Sequence, residues 1–137
     1  MDLVDIIAIL SGVTGMFFGV YSYLMTKANM VKSYFEADDS DEMRIARKNI
    51  YNDCSTSEKE LFENTSFAKV CSHYHFYGLM LKKHYIPAWV FKSANGSAII
   101  RCYEKSRKYI ELRRKDDFYY SEYFEWLYNW VIKHRWK

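Results

Sequence analysis

The run from Ile6 to Met25, IIAILSGVTGMFFGVYSYLM, contains no charged side chain. A helix of about 20 residues, rising about 1.5 Å per residue, spans the roughly 30 Å hydrocarbon core of a bilayer. A core helix of a soluble protein seldom runs this long without charge. It must also be wrapped on every side, and no other part of the chain could do that. A cleaved signal peptide needs a basic region before its apolar stretch and a small-x-small site behind it. Here the run is preceded by Met1-Asp2-Leu3-Val4-Asp5 and followed by Thr26-Lys27-Ala28-Asn29-Met30, which supply neither. The reading is a retained transmembrane anchor over residues 1–27 and a separate domain over residues 28–137.

No Lys or Arg precedes the run, whereas Lys27 and Lys32 follow it directly, with Arg44, Arg47 and Lys48 further on. Positive charge concentrates on the cytoplasmic side of membrane helices, so the N-terminus is expected outside and the domain in the cytoplasm, at the inner membrane. Tyr21 and Tyr23 sit where an interfacial aromatic belt belongs. On that side the sequons Asn64-Thr65-Ser66 and Asn95-Gly96-Ser97 would go unused. Within the run Ser11, Gly15 and Gly19 recur every fourth residue, a small-residue stripe of the kind that lets membrane helices approach closely.

Once the first 25 residues are set aside, 112 remain, enough for one small core. Only 23 of them are Leu, Ile, Val or Phe, close to the roughly 20% below which chains stay disordered. The core must therefore lean on the eleven tyrosines and four tryptophans of this part, whose polar tips need partners when buried. Three cysteines are too few for a disulfide scaffold and suit a reducing compartment.

Strand-like alternation is never sustained, and the apolar spacing is helical, so the expected class is all-α: one transmembrane helix followed by about five cytoplasmic helices. The first helix is expected to run through Phe35 to an acidic break over residues 36–42. Asp39 and Glu42 then have the spacing of an N-cap and its N3 carboxylate, opening a helix over 41–53 with Met43, Ala46, Ile50 and Cys54 on one stripe. Ser55 and Glu58 repeat that signal for a short helix ending near Asn64. Thr65 or Ser66 caps the next, whose buried face is Phe67, Val70, Cys71, Tyr74, Gly78, Leu81 and Tyr85. A second apolar arc, His73, Phe76 and Met80, puts this helix at the centre, and Pro87 ends it. A short helix is expected around 88–92, a turn at Asn95-Gly96, a long helix over 97–115 and a last one over 119–133. On the long helix Ile99, Cys102, Tyr103, Tyr109 and Ile110 form the inner stripe. Arg101 with Glu104, Glu104 with Lys108, Arg107 with Glu111 and Glu111 with Lys115 pair charges on the outer face.

Chemistry is sparse. Cys71-x-His73-x-His75 offers zinc-type ligands, but on a helix only Cys71 and His75 share a face, and His84, Cys54 and Cys102 lack finger spacing. No metal or other cofactor is expected. There is no nucleophile elbow, phosphate loop or HExxH helix, so no enzyme activity and no small-molecule substrate are expected. The charge is split: residues 65–137 carry fourteen Lys/Arg against six Asp/Glu, residues 26–64 six against nine. Lys105, Arg107, Lys108, Arg113, Arg114 and Lys115 concentrate the cations on one helix, and Lys133, Arg135, Trp136 and Lys137 give the end interfacial character. These residues are the candidates for anionic-lipid or partner contact, with headgroups the nearest anions and nucleic acid disfavoured.

Ile45-Ala46-Arg47-Lys48, Phe76-Tyr77-Gly78-Leu79, Val90-Phe91 through Ile99-Ile100, Tyr109-Ile110-Glu111-x-Arg113 and Tyr123-Phe124-Glu125-x-Leu127 follow one another in an order that resembles a bacterial family of unknown function. Its members are short proteins with an N-terminal membrane helix and a compact helical cytoplasmic domain, often encoded near mobile elements. The resemblance implies the same architecture here and brings no catalytic residue. The expected function is a single-pass, membrane-anchored, non-enzymatic helical module that presents a protein-interaction surface at the cytoplasmic face. The alternative is a membrane-acting effector, of prophage-exclusion or defence type, working through assembly of its membrane helix.

Overall fold

A computed structural model describes residues 2–92 and 94–134. The elements are α1 (Leu3–Asp38), α2 (Asp41–Tyr51), α3 (Glu58–Glu63), α4 (Thr65–Lys82), a 3-10 turn (Ala88–Phe91), α5 (Ala94–Arg113) and α6 (Glu122–His134). No strand occurs among the described residues, so the all-helical expectation holds.

α1 is one unbroken helix of 36 residues with two different lives. Every described residue up to Thr26 is exposed, including Leu10, Phe17, Phe18 and Leu24. From Met30 onward the helix joins the domain: Met30, Val31, Phe35 and Ala37 lean on the core and Tyr34 is fully buried. The acidic residues past Phe35 do not stop the helix where the sequence suggests, because Asp38 finds a partner in α2. The break falls at Asp39 and Ser40 instead, and Ser40, not Asp39, caps α2 by accepting from the Met43 amide at 3.2 Å. α3 is likewise capped two residues later than expected, with Ser57 and Glu60 forming the reciprocal box. Asn64 caps α4, accepting from the Ser66 amide at 3.1 Å, in place of Thr65 or Ser66.

α4 is the central helix, buried along Phe67, Val70, Cys71, Tyr74, Gly78 and Leu81 as the pattern predicts. Of the second arc, His73 is enclosed but Phe76 lies exposed. α4 ends well before Pro87. His84 adopts a left-handed conformation (φ 61°), its amide donating to the Leu81 carbonyl at 3.0 Å and the Tyr85 amide to the Met80 carbonyl at 2.9 Å. That is a Schellman stop built on a histidine. Tyr85 therefore leaves the helix and stands exposed.

Asn95-Gly96 does not turn the chain but lies in the first turn of α5. The glycine is needed for proximity: a Cβ there would meet the Phe91 carbonyl at 2.7 Å and Val131 Cγ1 at 2.8 Å, while Asn95 Nδ2 donates to the Val90 carbonyl at 2.8 Å. Gly78 serves the same end between α4 and α6, where a Cβ would lie 2.2 Å from the Tyr123 carbonyl oxygen.

The helix directions follow from their partners. Ser33 meets Tyr77 and Asp38 meets His73 and Tyr74, so α1 and α4 run oppositely. Tyr74 stacks on Phe124 and Lys82 reaches Trp126, so α4 and α6 run the same way. Gly96 abuts Val131 and Tyr103 packs on Phe124 and Tyr128, so α5 opposes α6. One end of the bundle thus gathers the C-termini of α4 and α6 and the start of α5 beside the point where α1 enters. The other holds α3 and the α5–α6 connection.

Candidate functional site

Two places combine polar side chains in a way that a plain packed core does not. The first fastens α1 to the domain. Asp38 ends a helix, where a negative charge faces the negative end of the helix dipole and unpaired carbonyls accumulate. Arg47 of α2 answers both problems: one guanidinium nitrogen lies 2.7 Å from Asp38 Oδ1, and the other donates to the Asp38 carbonyl at 2.8 Å. From α4, His73 Nε2 lies 3.1 Å from Oδ1 and the Tyr74 hydroxyl donates to it at 3.2 Å.

The Asp38, Arg47 and His73 side chains keep only 14%, 15% and 7% of their accessibility. Burial opposes the Asp38 carboxylate, but the His73 hydrogen bond, the Arg47 charge and the Tyr74 hydroxyl hold its pKa below the usual carboxylate range. Burial also disfavours the Arg47 cation, yet the Tyr74 hydroxyl and the Asp38 carboxylate facing it win and push its pKa up. Desolvation keeps the Tyr34 and Tyr74 hydroxyls protonated far into alkali.

Aromatic rings close the arrangement: Tyr34 stacks on His73 with centroids 5.9 Å apart and meets Tyr77 and Phe91 edge-on. Behind it the Tyr51 hydroxyl lies 3.2 Å from Cys102 Sγ, and the Arg101 guanidinium sits 4.2 Å above the Tyr51 ring. The whole assembly ties α1, α2, α4 and α5 at one junction. None of it was singled out as a site from the sequence. The available signal was a cation, Arg47, directly beside the buried stripe of Met43, Ala46 and Ile50, a position that demands a buried anion.

The second place is a cleft of about 440 Å³ at the far end, lined by His75, Asp117, Tyr119, Ser121, Glu122 and Tyr123 among others. His75 Nδ1 is buried there without a hydrogen-bond partner among the described residues. Burial lowers the His75 pKa against the opposing pull of Glu122 and Asp117. Ser121 turns the chain at φ 54°, and on the same connection Phe118 and Tyr119 stand 78% and 69% exposed.

The chain matches the family described as Domain of unknown function (DUF4760) over residues 7–136, taking in the apolar helix as well as the bundle. It belongs to the DUF4760 family. The resemblance to a family of unknown function therefore stands in that respect alone, and the DUF4760 match brings no activity with it. No curated protein and no solved structure matches the chain.

In this DUF4760 chain the residues singled out from the sequence are scattered. The Ser11, Gly15 and Gly19 face is uncovered: Ser11 Oγ donates back to the Ile7 carbonyl, and nothing approaches the two glycines. The expected charge pairs along α5 are not closed among the described residues. Arg107 and Arg113 lie over aromatic rings, Arg113 over both Phe62 and Tyr120, at 5.8 and 5.1 Å. Arg114 pairs with Glu125 at 2.6 Å and Lys115 with Glu58 at 3.1 Å. Lys105 and Lys108 are exposed, as is Lys133 at the opposite end of the bundle. Arg135, Trp136 and Lys137 lie outside the described residues. Cys71 and Cys102 are buried and Cys54 exposed, and no three His, Cys, Asp or Glu converge as a metal site among the described residues.

Proposed function

We propose that this protein is a single-pass membrane-anchored, non-enzymatic helical module, held in the inner membrane with its domain in the cytoplasm, that presents the far end of its bundle to a protein partner. The observation that carries the reading is α1, whose apolar portion is 0% buried and whose last turns are locked into the core. A helix that exposes Phe17, Phe18 and Leu24 to water would aggregate, and lipid removes that cost. The exposed Phe118 and Tyr119 beside the cleft supply aromatic anchors for a partner, at the end of the bundle remote from the span.

Cys54, the exposed thiol, tests the topology in spheroplasts. A membrane-impermeant maleimide labels it only after permeabilisation if the domain is cytoplasmic, and labelling of intact spheroplasts refutes that orientation. Extraction of the chain from membranes by alkaline carbonate refutes the anchor itself. A partner recovered with the full chain should be lost with Phe118→Ala/Tyr119→Ala, and its retention refutes the assigned surface.

The uncovered Ser11, Gly15 and Gly19 face favours a second reading, an effector that acts by assembling its membrane helices. Dye leakage from vesicles, abolished by Gly15→Leu, supports that alternative, and absence of leakage removes it.

A further inference from the structure

We infer that the end of the bundle around the α4 stop is a lipid-docking face that lays the domain on an anionic membrane surface. The inference rests on the anchored reading and adds to it where the domain touches the bilayer.

Its first support is register. Ser33 meets Tyr77 and Asp38 meets His73 in opposed helices. Six residues back from Ser33 is Lys27, at the end of the apolar run, and six residues on from Tyr77 is Lys83. At about 1.5 Å per residue both steps cover about 9 Å, so the C-terminus of α4 comes level with the end of the span. α6 runs with α4 and brings Lys133 to the same end.

The second support is charge. No acidic residue occurs between Asp5 and Glu36, between Glu63 and Glu104, or after Glu125. Those three intervals hold the emergent part of α1 as far as Phe35, all of α4 with the α4–α5 connection, and α6 from Trp126 onward. The acidic side chains of the domain lie elsewhere, at the C-terminal end of α1, in α2, before and within α3, in the second half of α5, in the α5–α6 connection and in the first turn of α6. The membrane-facing end therefore carries cations alone, Lys82, Lys83 and Lys133 among them, while the far end is mixed.

The third support is the kind of apolar group exposed there. The left-handed His84 stop swings Tyr85 out of the helix, 53% exposed, and Trp89 stacks on Phe35 yet stays 60% exposed. Tyr and Trp are the side chains that settle at headgroup level, and lysines beside them complement anionic lipid. Arg113 and Arg114 are a poorer fit, being engaged with Phe62, Tyr120 and Glu125 at the other end.

The test uses the full chain in nanodiscs. With Cys54 replaced by Ser, a spin label is placed at Tyr85→Cys or, as control, at Lys59→Cys on α3, and relaxation by a lipid-bound nickel chelate is read. In discs containing phosphatidylglycerol the label at 85 should relax strongly and the label at 59 should not. Phosphatidylcholine-only discs should weaken the effect, and so should Lys83→Glu/Lys133→Glu, by about fivefold for each cation removed. Equal weak relaxation at both positions in anionic discs, with the chain carbonate-resistant, overturns the docking face and leaves the anchor standing. A chain that carbonate extracts overturns both. Spin–spin broadening between labels at position 85 that persists in detergent shows that a second copy covers the face and also overturns the inference.

Discussion

Gly78→Ala is ordinarily a stabilising change in a helix, worth about 1 kcal/mol in propensity. In this protein the sign should reverse. The added Cβ would lie 2.2 Å from the Tyr123 carbonyl oxygen, 2.9 Å from its carbon and 3.2 Å from Leu127 Cβ. The first two are backbone atoms, so no side-chain rotation relieves the contact, and α6 must retreat from α4 by about 1 Å in a core packed near crystal density. Overpacking of this kind costs about 1–3 kcal/mol, and a backbone obstacle puts the cost at the upper end. Subtracting the propensity gain leaves about 2 kcal/mol of destabilisation. For a domain of this size that lowers the melting temperature by about 8 °C. The readout is thermal unfolding of the full chain in detergent, followed by tryptophan emission, since Trp89, Trp126 and Trp130 all report on the domain rather than the span. Gly15→Ala, where nothing lies within 4 Å, is the matched control and should leave the midpoint unchanged. A Gly78→Ala protein as stable as the parent refutes the close α4–α6 approach.

Asp38→Asn leaves the buried Arg47 charge without its partner and should destabilise the domain by about 3–5 kcal/mol, measured by urea unfolding. Because the folded Asp38 pKa lies below its unfolded value of about 3.9, its contribution is fully present above about pH 4 and is lost as pH falls through the folded value. The acid limb of the stability profile should accordingly be shallower in Asp38→Asn than in the parent, and identical limbs would show that Asp38 does not supply it. One thiol, Cys54, should react with maleimide in the native state and all three after denaturation. Burial removes Cys71 and Cys102 from reach and pushes the Cys71 thiol up to about 12. Two reactive thiols at neutral pH would contradict the packing around α4 and α5. Gly96→Ala should cost stability as Gly78→Ala does, through the Phe91 carbonyl and Val131, read in the same melting assay.

The readings that survive from the sequence rest on periodicity. The inner faces of α2, α4, α5 and α6 emerge with Met43, Ile50, Val70, Ile99, Tyr109, Phe124 and Leu127 buried, because a 3.6-residue repeat is a property of the chain itself. The boundaries depend on partners the sequence cannot place. An acidic stretch after Phe35 reads as a helix end until Arg47 arrives to neutralise Asp38. Asn95-Gly96 reads as a turn until Phe91 and Val131 need the space of a missing Cβ. Pro87 reads as the terminator of α4 although a histidine accepts the left-handed stop four residues after Met80. Two of the charge pairs expected along α5 fail for the same reason: the Tyr51 ring takes Arg101 and Glu58 takes Lys115 from other elements. The Asp38 junction draws on four helices, so no window of sequence contains it, and only Arg47 beside an apolar stripe hinted that an anion was missing.

Between Gly19 and Asp38 α1 contains neither glycine nor proline, and its final turn is pinned on two sides. The apolar part of α1 and the bundle therefore share a single rotational phase. Each residue of helix turns about 100°, so inserting one alanine after Lys27 would swing the small-residue face by that angle relative to Phe118 and Tyr119. Four inserted residues would nearly restore the original alignment. On the anchored reading proposed above, association of the membrane helices would fix the azimuth at which the far end of the domain points.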